Sequence, residues 1–320
     1  MDFPYLVSHF LGTTMDGLVI GGIYALIALG YTLVYGVLKL INFAHSEVFM
    51  LGAFAAVGIW TVLGVNEGPT PSLGGFILLA IVGLAAAMAA SGGTALALEY
   101  IAYRPLRRKK APRLVFLITA IGVSLALNEG MGVLTSRDDV GVPEVFKQTI
   151  LIDWDSGALG RLRVSDLDIG IIVMAFGLLV ALDMFVNRTR PGAGIRAVAQ
   201  DPDTAALMGI NKNRIFALTF ILGGLAAGVA AVMWDLRYSS IKHSLGFLLG
   251  VKAFTAAVMG GIGNLRGALV GGFALGLIEN WSGAVFGNAW LDVVAFTVLV
   301  VVLMFRPTGL LGESLGRSKA

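Results

Sequence analysis

Polar and ionisable side chains interrupt several long apolar runs of this 320-residue chain. Such groups are costly inside a membrane, and they usually face a cavity or a partner side chain. We therefore take them as candidate pathway or gating residues of a membrane protein: Asn42, His45, Glu47, Asn128, Glu129, Lys252 and Glu279.

Their chemistry is more consistent with charge pairing than with a metal site. The chain has three histidines, no cysteine and no H-E-x-x-H sequence, so the His-x-Glu pair at 45 and 47 lacks further ligands. His45 and Glu47 are expected to cap a helix and bridge to its neighbours, with a gating role as the alternative. Lys252 is expected to pair with a carboxylate that the sequence does not identify. For the whole set, a structural network and the lining of a cavity both stay open.

The composition indicates the solvent around these residues. Hydrophobic residues make up 57%, charged residues 13%, and the mean hydropathy is +0.85, whereas soluble domains carry roughly a quarter charged residues. Repeated apolar runs approach the length of about 20 residues that a spanning helix needs, and barrel-type alternation is not seen. We predict an all-α, polytopic membrane protein with eight or nine spans: 14–37, 44–64, 74–100, 113–134, 167–187, 214–234, 246–262, 266–287 and 290–305.

The distribution of Lys and Arg predicts the orientation of these spans, because cytoplasmic loops collect basic residues. Sixteen basic residues fall on the side of the 103–113 hairpin and the 188–213 loop, against six on the side of the polar loop 135–166. We therefore expect an outside N-terminus, a cytoplasmic C-terminus and a cytoplasmic 188–213 loop. The first twelve residues have no basic segment, so the first apolar run is expected to remain a span.

Two glycine-rich segments have local interpretations. The run over 246–262 contains Lys252 and ends in glycines, so a re-entrant or broken helix is an alternative to a span. The sequence "GGIGNLRG" at 260–267 resembles a phosphate-binding loop, but it joins two apolar runs with no preceding strand. We interpret it as a tight cytoplasmic turn. Paired glycines such as Gly21-Gly22 and Gly271-Gly272 predict close helix packing.

The segment "QDPDTAALMG" within the 188–213 loop predicts a short helix. Asp201 is a good N-cap, Pro202 fits the first helical position, and Asp203 lies near the positive end of the helix dipole. Gly209 fits the left-handed C-cap position. The helix of about two turns is partly apolar, through Ala205, Leu207 and Met208. Since so short a helix is marginal alone, it must pack on the chain's own helix ends or on a cytoplasmic partner.

Four blocks in order resemble the branched-chain amino-acid ABC importer permease family, and in particular the first of its two membrane subunits. They are "GGIYALIALGYTLVYGVLKLINFAHSEVFMLGAF" (21–54), "YRPLRRKKAPRLVFLITAIGVSLALNE" (103–129), "GAGIRAVAQDPDTAALMGINKNRIFALTF" (192–220) and "VKAFTAAVMGGIGNLRGALVGGFALGLIE" (251–279). The resemblance covers nearly the whole chain and fails mainly in the 135–166 loop.

The resemblance implies a single permease domain over 1–320 in the cell inner membrane. It also implies a second homologous permease, two ATP-binding cassette subunits and an extracytoplasmic substrate-binding protein. The chain has no G-x-x-x-x-G-K-[ST] sequence, so ATP and Mg are expected on the separate ATPases and no cofactor on this chain. By position, the family's coupling helix matches Ala205, Ala206, Leu207, Met208 and Gly209. Two departures from the family pattern are Thr204 before the alanine pair and Ser46 between His45 and Glu47.

Two other functions compete with an ATP-driven importer subunit. In a stand-alone secondary transporter or channel, Glu129, Lys252 and Glu279 would form an ion- or proton-coupling path. A membrane enzyme lacks a credible catalytic cluster in this sequence. The few intramembrane polar residues suit transit of a branched-chain amino acid, and they suit amides or urea equally, so the sequence leaves the substrate open.

Overall fold

The computed structural model describes residues 3–65 and 73–312, which are mostly helical. Arg317 and Lys319, two of the basic residues in the orientation count, lie outside the described residues. The α-helices in the described part are α1 Phe3–Ser8, α2 Phe10–Leu38, α3 His45–Val62, α4 Leu73–Ala97, α5 Arg104–Arg108, α6 Arg113–Leu134, α7 Asp166–Arg188, α8 Arg190–Gln200, α9 Pro202–Leu207, α10 Lys212–Arg237, α11 Leu245–Gly260, α12 Leu265–Phe286 and α13 Leu291–Phe305.

Eight helical stretches in the described residues are long and apolar enough to cross a membrane, so the chain is a multi-pass membrane protein. Each coincides with a span predicted from hydropathy. The remaining predicted span, 246–262, corresponds to α11, an apolar helix of 16 residues. At 1.5 Å per residue it is about 24 Å long, somewhat short of the hydrocarbon core of roughly 30 Å. The alternative of a broken helix is wrong over Leu245–Gly260, because α11 is continuous there, whereas the alternative of a re-entrant helix stays a prediction.

The third span extends further than predicted. After α4 the chain forms a π-helical segment over Leu98–Tyr103 and continues directly into α5, so helix covers much of the expected basic hairpin. Pro105 is the second residue of α5 and lies directly after the π-helical segment, and the helix continues through it.

The prediction of an all-α chain is confirmed in part: the described residues are mostly helical, but they also form two small antiparallel sheets in the connections between helices. Strands β2 (Ile150–Asp155) and β3 (Arg161–Ser165) form a hairpin within the predicted polar loop 135–166. Gly157 and Gly160 have positive φ angles of 66° and 81°, which permit the turn between the strands. Strands β1 (Val140–Gly141) and β4 (Ser240–Ile241) make the second pair.

The described residues divide into two compact units, one made of those within 1–32, 148–180 and 252–320, the other of those within 33–147 and 181–251. In the second unit, α3, α4 and α10 pack together as a core. Ser91 on α4 donates a hydrogen bond to the carbonyl of Val48 on α3 at 2.9 Å. Gly228 on α10 lies against the backbone of Met88, where a Cβ would be 2.8 Å from Met88 Cα. The absence of a side chain thus permits close helix packing.

In the first unit, α2 and α12 approach each other through small residues. A Cβ on Gly21 would lie 2.8 Å from Phe273 Cα, and one on Gly272 would lie 2.6 Å from Ala25 Cα. These contacts confirm the predicted use of glycine for helix packing. At the end of α11, Gly261 and Gly263 have positive φ angles and Asn264 caps α12, which confirms that 260–267 is a turn between helices.

Candidate functional site

The short helix α9 forms where its capping residues predicted. Asp201 adopts an extended conformation, and its Oδ1 accepts hydrogen bonds from the amides of Asp203 (2.9 Å) and Thr204 (3.2 Å). Its Oδ2 accepts a third from the Thr204 hydroxyl at 2.5 Å. These donors stabilise the carboxylate and lower the pKa of Asp201 below its ordinary value, the Thr204 side chain contributing most. Pro202 occupies the first position of the helix.

The helix also ends as predicted. Gly209 has a φ of 84°, which a residue with a side chain rarely adopts. The Ile210 amide bonds back to the Ala205 carbonyl at 3.0 Å, and the Gly209 amide bonds to that of Ala206 at 3.0 Å. This pair of bonds is the Schellman arrangement that closes a helix C-terminus. Helix α9 is therefore a well-bounded unit of six residues.

The structure identifies the two faces of α9. Ala205 is buried in an apolar cluster of Val37, Ile195, Val198, Ile215 and Phe216. Leu207 and Met208 are 87% and 80% exposed, and Ala206 is exposed beside them. The chain's own helices therefore cover one face of α9, as expected if the helix packs on the chain's own helix ends. The apolar side chains of the other face are not covered by the described part of the chain.

Helix α8, which the sequence analysis did not predict, supplies much of this support. Thr189 caps its N-terminus through a 3.1 Å hydrogen bond from the Gly192 amide, and Ile195 and Val198 are its buried apolar residues. Ile195 and Val198 three positions apart, with the charged Arg196 between them, were the available signal of an amphipathic helix. Helix α10 packs on α9 through Ile215 and Phe216 around Ala205, and the exposed pair of Asp203 with Lys212 at 2.9 Å adds a second contact between the two helices.

A polar cluster surrounds the start of α3. Asn42 precedes the helix and accepts a 2.9 Å hydrogen bond from the Tyr103 hydroxyl, and both residues are buried. His45 is the buried first residue of α3. The expected capping by His45 and Glu47 is wrong, because Ala44 occupies the N-cap without a side-chain hydrogen bond. Ala44 has no polar side-chain atom that could cap the helix. His45 and Glu47 follow the N-cap position and belong to the first turn of α3.

The expected bridge to neighbouring helices is confirmed for Glu47. Its Oε1 accepts from the Ser124 hydroxyl on α6 at 3.1 Å and from Ser46 at 3.4 Å, and the Asn128 side chain also bonds to the carboxylate. Oε2 has no hydrogen-bond partner among the described residues and lies beside Gly246 of α11. Glu47 is fully buried, so this carboxylate is held by few donors.

Lys252 and Glu279 form the buried pair that the sequence left without a named acid. The Lys252 ammonium lies 2.6 Å from Glu279 Oε1 and 2.8 Å from Asp292 Oδ1. The Tyr24 hydroxyl donates to Glu279 Oε2 at 2.9 Å. Four helices, α2, α11, α12 and α13, thus meet at one lysine–carboxylate group. Asp292 was within a predicted span, where an acidic residue is itself a signal, and sequence reasoning missed it.

Glu129 has different surroundings from the other candidates. It is exposed near the C-terminal end of α6 and pairs with Arg137 at 2.6 Å. Exposed ion pairs of this kind contribute little stability, because water screens them. Its neighbour Asn128 belongs to the Glu47 cluster. The structure therefore brings together Glu47 with Asn128, and Lys252 with Glu279, and gives Glu129 a separate partner.

Comparisons with known proteins agree with this architecture. A family model described as "Branched-chain amino acid transport system / permease component" matches residues 13–303. The permease protein BraD of a high-affinity branched-chain amino acid transport system in Pseudomonas aeruginosa is 40% identical over 96% of this chain and 97% of its own. LivH of Escherichia coli K12, a permease protein of the same description, is 37% identical over 95% and 96%.

More distant similarities also extend over most of the chain. A probable branched-chain amino acid permease protein LivH of Methanocaldococcus jannaschii is 25% identical over 93% of this chain and 91% of its own. The solved structure of PsaBC from Streptococcus pneumoniae in complex with Fab has a TM-score of 0.45 at 14% identity, over 94% of this chain and 93% of that chain. The last similarity is too low to establish a common fold.

Proposed function

Because this chain belongs to the family of branched-chain amino acid transport permease components, we propose that it is the membrane-spanning subunit of an ATP-driven importer. With a second homologous permease it forms the path through which branched-chain or related amino acids cross the membrane. The whole chain acts as a single permease domain. The chain is a transporter subunit, and ATP and Mg bind to two separate ATP-binding cassette subunits.

The observation that carries this proposal is the pair of exposed apolar side chains on α9. Leu207 and Met208 lie outside the eight candidate spans of the described residues, so burial in the hydrocarbon core does not account for their apolar character. Exposed apolar residues on a rigid, doubly capped helix suit a protein groove. We assign that groove to the ATPase. The residues of the coupling helix are Asp201, Pro202, Asp203, Ala205, Ala206, Leu207, Met208 and Gly209.

The architecture suits transmission of force at this helix. Asp201 and Gly209 define its ends, Ala205 anchors it in an apolar cluster, and Asp203 is paired with Lys212 at the start of α10. A displacement of the ATPase surface would therefore move α9 as a unit, together with α10. Helix α10 packs against α3 and α4, so the movement would reach the membrane-spanning core.

The location follows from the basic residues. The coupling loop 188–213 is cytoplasmic, the N-terminus is outside and the C-terminus is inside the cell. The loop 135–166, including the β2–β3 hairpin, is then extracytoplasmic, where a substrate-binding protein delivers the amino acid. The complex resides in the cell inner membrane.

The intramembrane polar residues are proposed to line the path or to control its opening. They comprise Asn42, His45, Glu47, Asn128, Glu129, Lys252 and Glu279. Glu47 is the strongest gating candidate among them, because its buried carboxylate joins α3 to α6 and borders the glycine face of α11. A carboxylate with few and weak hydrogen-bond donors loses less free energy when it changes partners than one whose hydrogen bonds are all satisfied. The contact between Glu47 and α6 can therefore break and form again during transport.

Reconstitution of the chain separates this function from a secondary transporter. The chain, its cognate permease and the two ATPases are placed in liposomes, and uptake of radiolabelled leucine is measured with the loaded binding protein outside. We expect uptake that requires ATP and all subunits. Uptake by this chain alone under an ion gradient, without ATPases, would overturn the proposal.

A further inference from the structure

The two carboxylates that contact Lys252 differ in how firmly they are held. Glu279 is buried, with 6% of its side chain exposed, and both of its oxygens have donors, from Lys252 and from Tyr24. Asp292 is 50% exposed, and Lys252 is its ion-pair partner within residues 3–65 and 73–312. Glu279 is therefore the fixed partner of Lys252, and Asp292 is the partner that can exchange.

The charges of this group leave one negative charge in excess. One ammonium faces two carboxylates, and the excess resides on the half-exposed Asp292 rather than on the enclosed Glu279. An ammonium has three N–H donors, of which Lys252 uses one toward each carboxylate. Asp292 is thus an exposed acceptor, whereas the Lys252 side chain beside it is only 8% exposed and would become available to a ligand when Asp292 exchanges its partner.

An amino-acid zwitterion has the matching arrangement of charges. Its ammonium can bond to Asp292 while its carboxylate accepts from Lys252, which replaces one ion pair by two and leaves the Lys252–Glu279 contact intact. Because a zwitterion has no net charge, its entry does not change the total charge of the site. An uncharged amide or urea offers only weaker hydrogen bonds to the same groups.

The surroundings of Asp292 also suit an apolar side chain. Phe296 follows one turn later on the same face of α13, and Val293 is adjacent in sequence. Both side chains are exposed. A branched aliphatic group attached to the zwitterion would lie within reach of this surface.

From these contacts we propose that the Lys252–Asp292 pair is a binding subsite for the α-ammonium and α-carboxylate of an amino acid. The inference rests on the proposed importer function, and it adds to it the two side chains that recognise the charged groups of the amino acid. In the proposed topology the connection between α12 and α13 is extracytoplasmic, so this subsite would be reached soon after release from the binding protein.

The test uses the complete importer in lipid nanodiscs, without the binding protein. Saturable binding of radiolabelled leucine is measured against unlabelled leucine, leucinamide, which lacks the carboxylate, and 4-methylpentanoate, which lacks the ammonium. We expect leucine to compete at least about tenfold better than either single-charge analogue, the effect of losing one charged hydrogen bond. Equal competition by an analogue, or no saturable leucine binding, would contradict the subsite.

Variants then assign the ammonium contact. D292N should weaken leucine binding about tenfold and remove the preference for leucine over 4-methylpentanoate, because the ammonium has lost its charged partner. D292E should retain both the affinity for leucine and the preference for leucine over 4-methylpentanoate. The matched control is D139N, which breaks the exposed pair between Asp139 and Lys242 and should leave binding unchanged. A merely structural Asp292 would leave the preference intact in D292N.

ATP-driven uptake separates the two proposals. If the wild-type complex imports leucine and D292N imports it equally well, the subsite is wrong and the importer function stands. If the wild-type complex shows no ATP-driven import, the importer function itself fails. Thermal unfolding of D292N, measured alongside, should match the wild type, because Asp292 is half exposed.

Discussion

Ser46 on α3 lies directly against Gly250 on α11, so closely that a Cβ on Gly250 would be 3.0 Å from Ser46 Cα and 3.1 Å from its Oγ. One turn earlier on α11, Gly246 borders the carboxylate of Glu47 in the same way. The two helices therefore meet through the start of α3, where the candidate gating carboxylate lies. No side chain can be added there unless the helices separate.

Gly250→Ala is expected to destabilise the protein by about 1–3 kcal/mol, because overpacking a close helix contact forces the backbones apart. The matched control is Gly122→Ala on α6, where an added Cβ meets no atom within 4 Å. That variant should be neutral or stabilising by up to about 1 kcal/mol, since alanine favours helix. Thermal unfolding in detergent measures both, and equal melting temperatures would contradict the close contact.

Lys252→Met is expected to destabilise the protein by about 3–5 kcal/mol, because it leaves Glu279 buried without its charged partner. Glu279→Gln should lower the stability less, since the Lys252 ammonium keeps its ion pair with Asp292. In the double variant the two losses should not add, because each removes the same pair. A double-mutant cycle measured by denaturation provides the coupling energy, and strict additivity would show that the pair is not formed.

Replacing each of two buried carboxylates by its amide should change the melting temperature of the protein in different ways. Asp235 is buried in α10, and neither of its oxygens has a hydrogen-bond partner within residues 3–65 and 73–312. Glu99 is also buried but pairs with Arg107. Asp235→Asn should leave the melting temperature unchanged or raise it, because an unpaired buried charge is costly. Glu99→Gln should lower it, since it removes the partner of a largely buried guanidinium. A larger decrease in melting temperature for Asp235→Asn than for Glu99→Gln would contradict this prediction.

Leu207→Asp is expected to abolish ATP-driven uptake and ATPase association without unfolding the chain, because the side chain is 87% exposed. Gly209→Pro should do the same, since proline cannot adopt the φ of 84° that ends α9. The conservative control Leu207→Met should retain both activities. Co-purification with tagged ATPase subunits is the measurement, and normal recovery of both disruptive variants would count against the coupling assignment.

The cap of α9 should depend on pH. Hydrogen bonds from Thr204 lower the pKa of Asp201 below its ordinary value of 3.8. A carboxylate with a depressed folded-state pKa stabilises fully above its unfolded pKa, and this contribution is lost as the pH falls through the lower folded value. We therefore expect α9 to be capped at neutral pH and to fray below about pH 4.

Hydrogen exchange of the 201–209 segment, compared at equal intrinsic rates, measures this loss. Asp201→Asn is the control, because asparagine caps a helix without titrating over this range. In this variant the protection of the 201–209 amides, after correction for intrinsic exchange rates, should be the same at pH 3 and pH 7. A cap in the wild type that persists equally at both ends of this range would disprove the titration.

The local features of the chain were predictable from its sequence. Hydropathy located the eight long apolar helices of the described residues, since a spanning helix needs one continuous apolar stretch. The capping residues Asp201 and Gly209 located α9, because helix ends depend on neighbouring residues. The family was evident as well, through blocks distributed along nearly the whole chain.

Tertiary structure decided which distant groups meet. The sequence indicated that Lys252 needs a carboxylate, but only the packing of α11, α12 and α13 placed Glu279 and Asp292 against it. The same holds for Ser124 beside Glu47, and for Ala205 as the buried side of α9. Apolar composition and capping are local properties that are encoded residue by residue. Charge pairing and burial depend on helix rotation and register, which arise only when the helices pack.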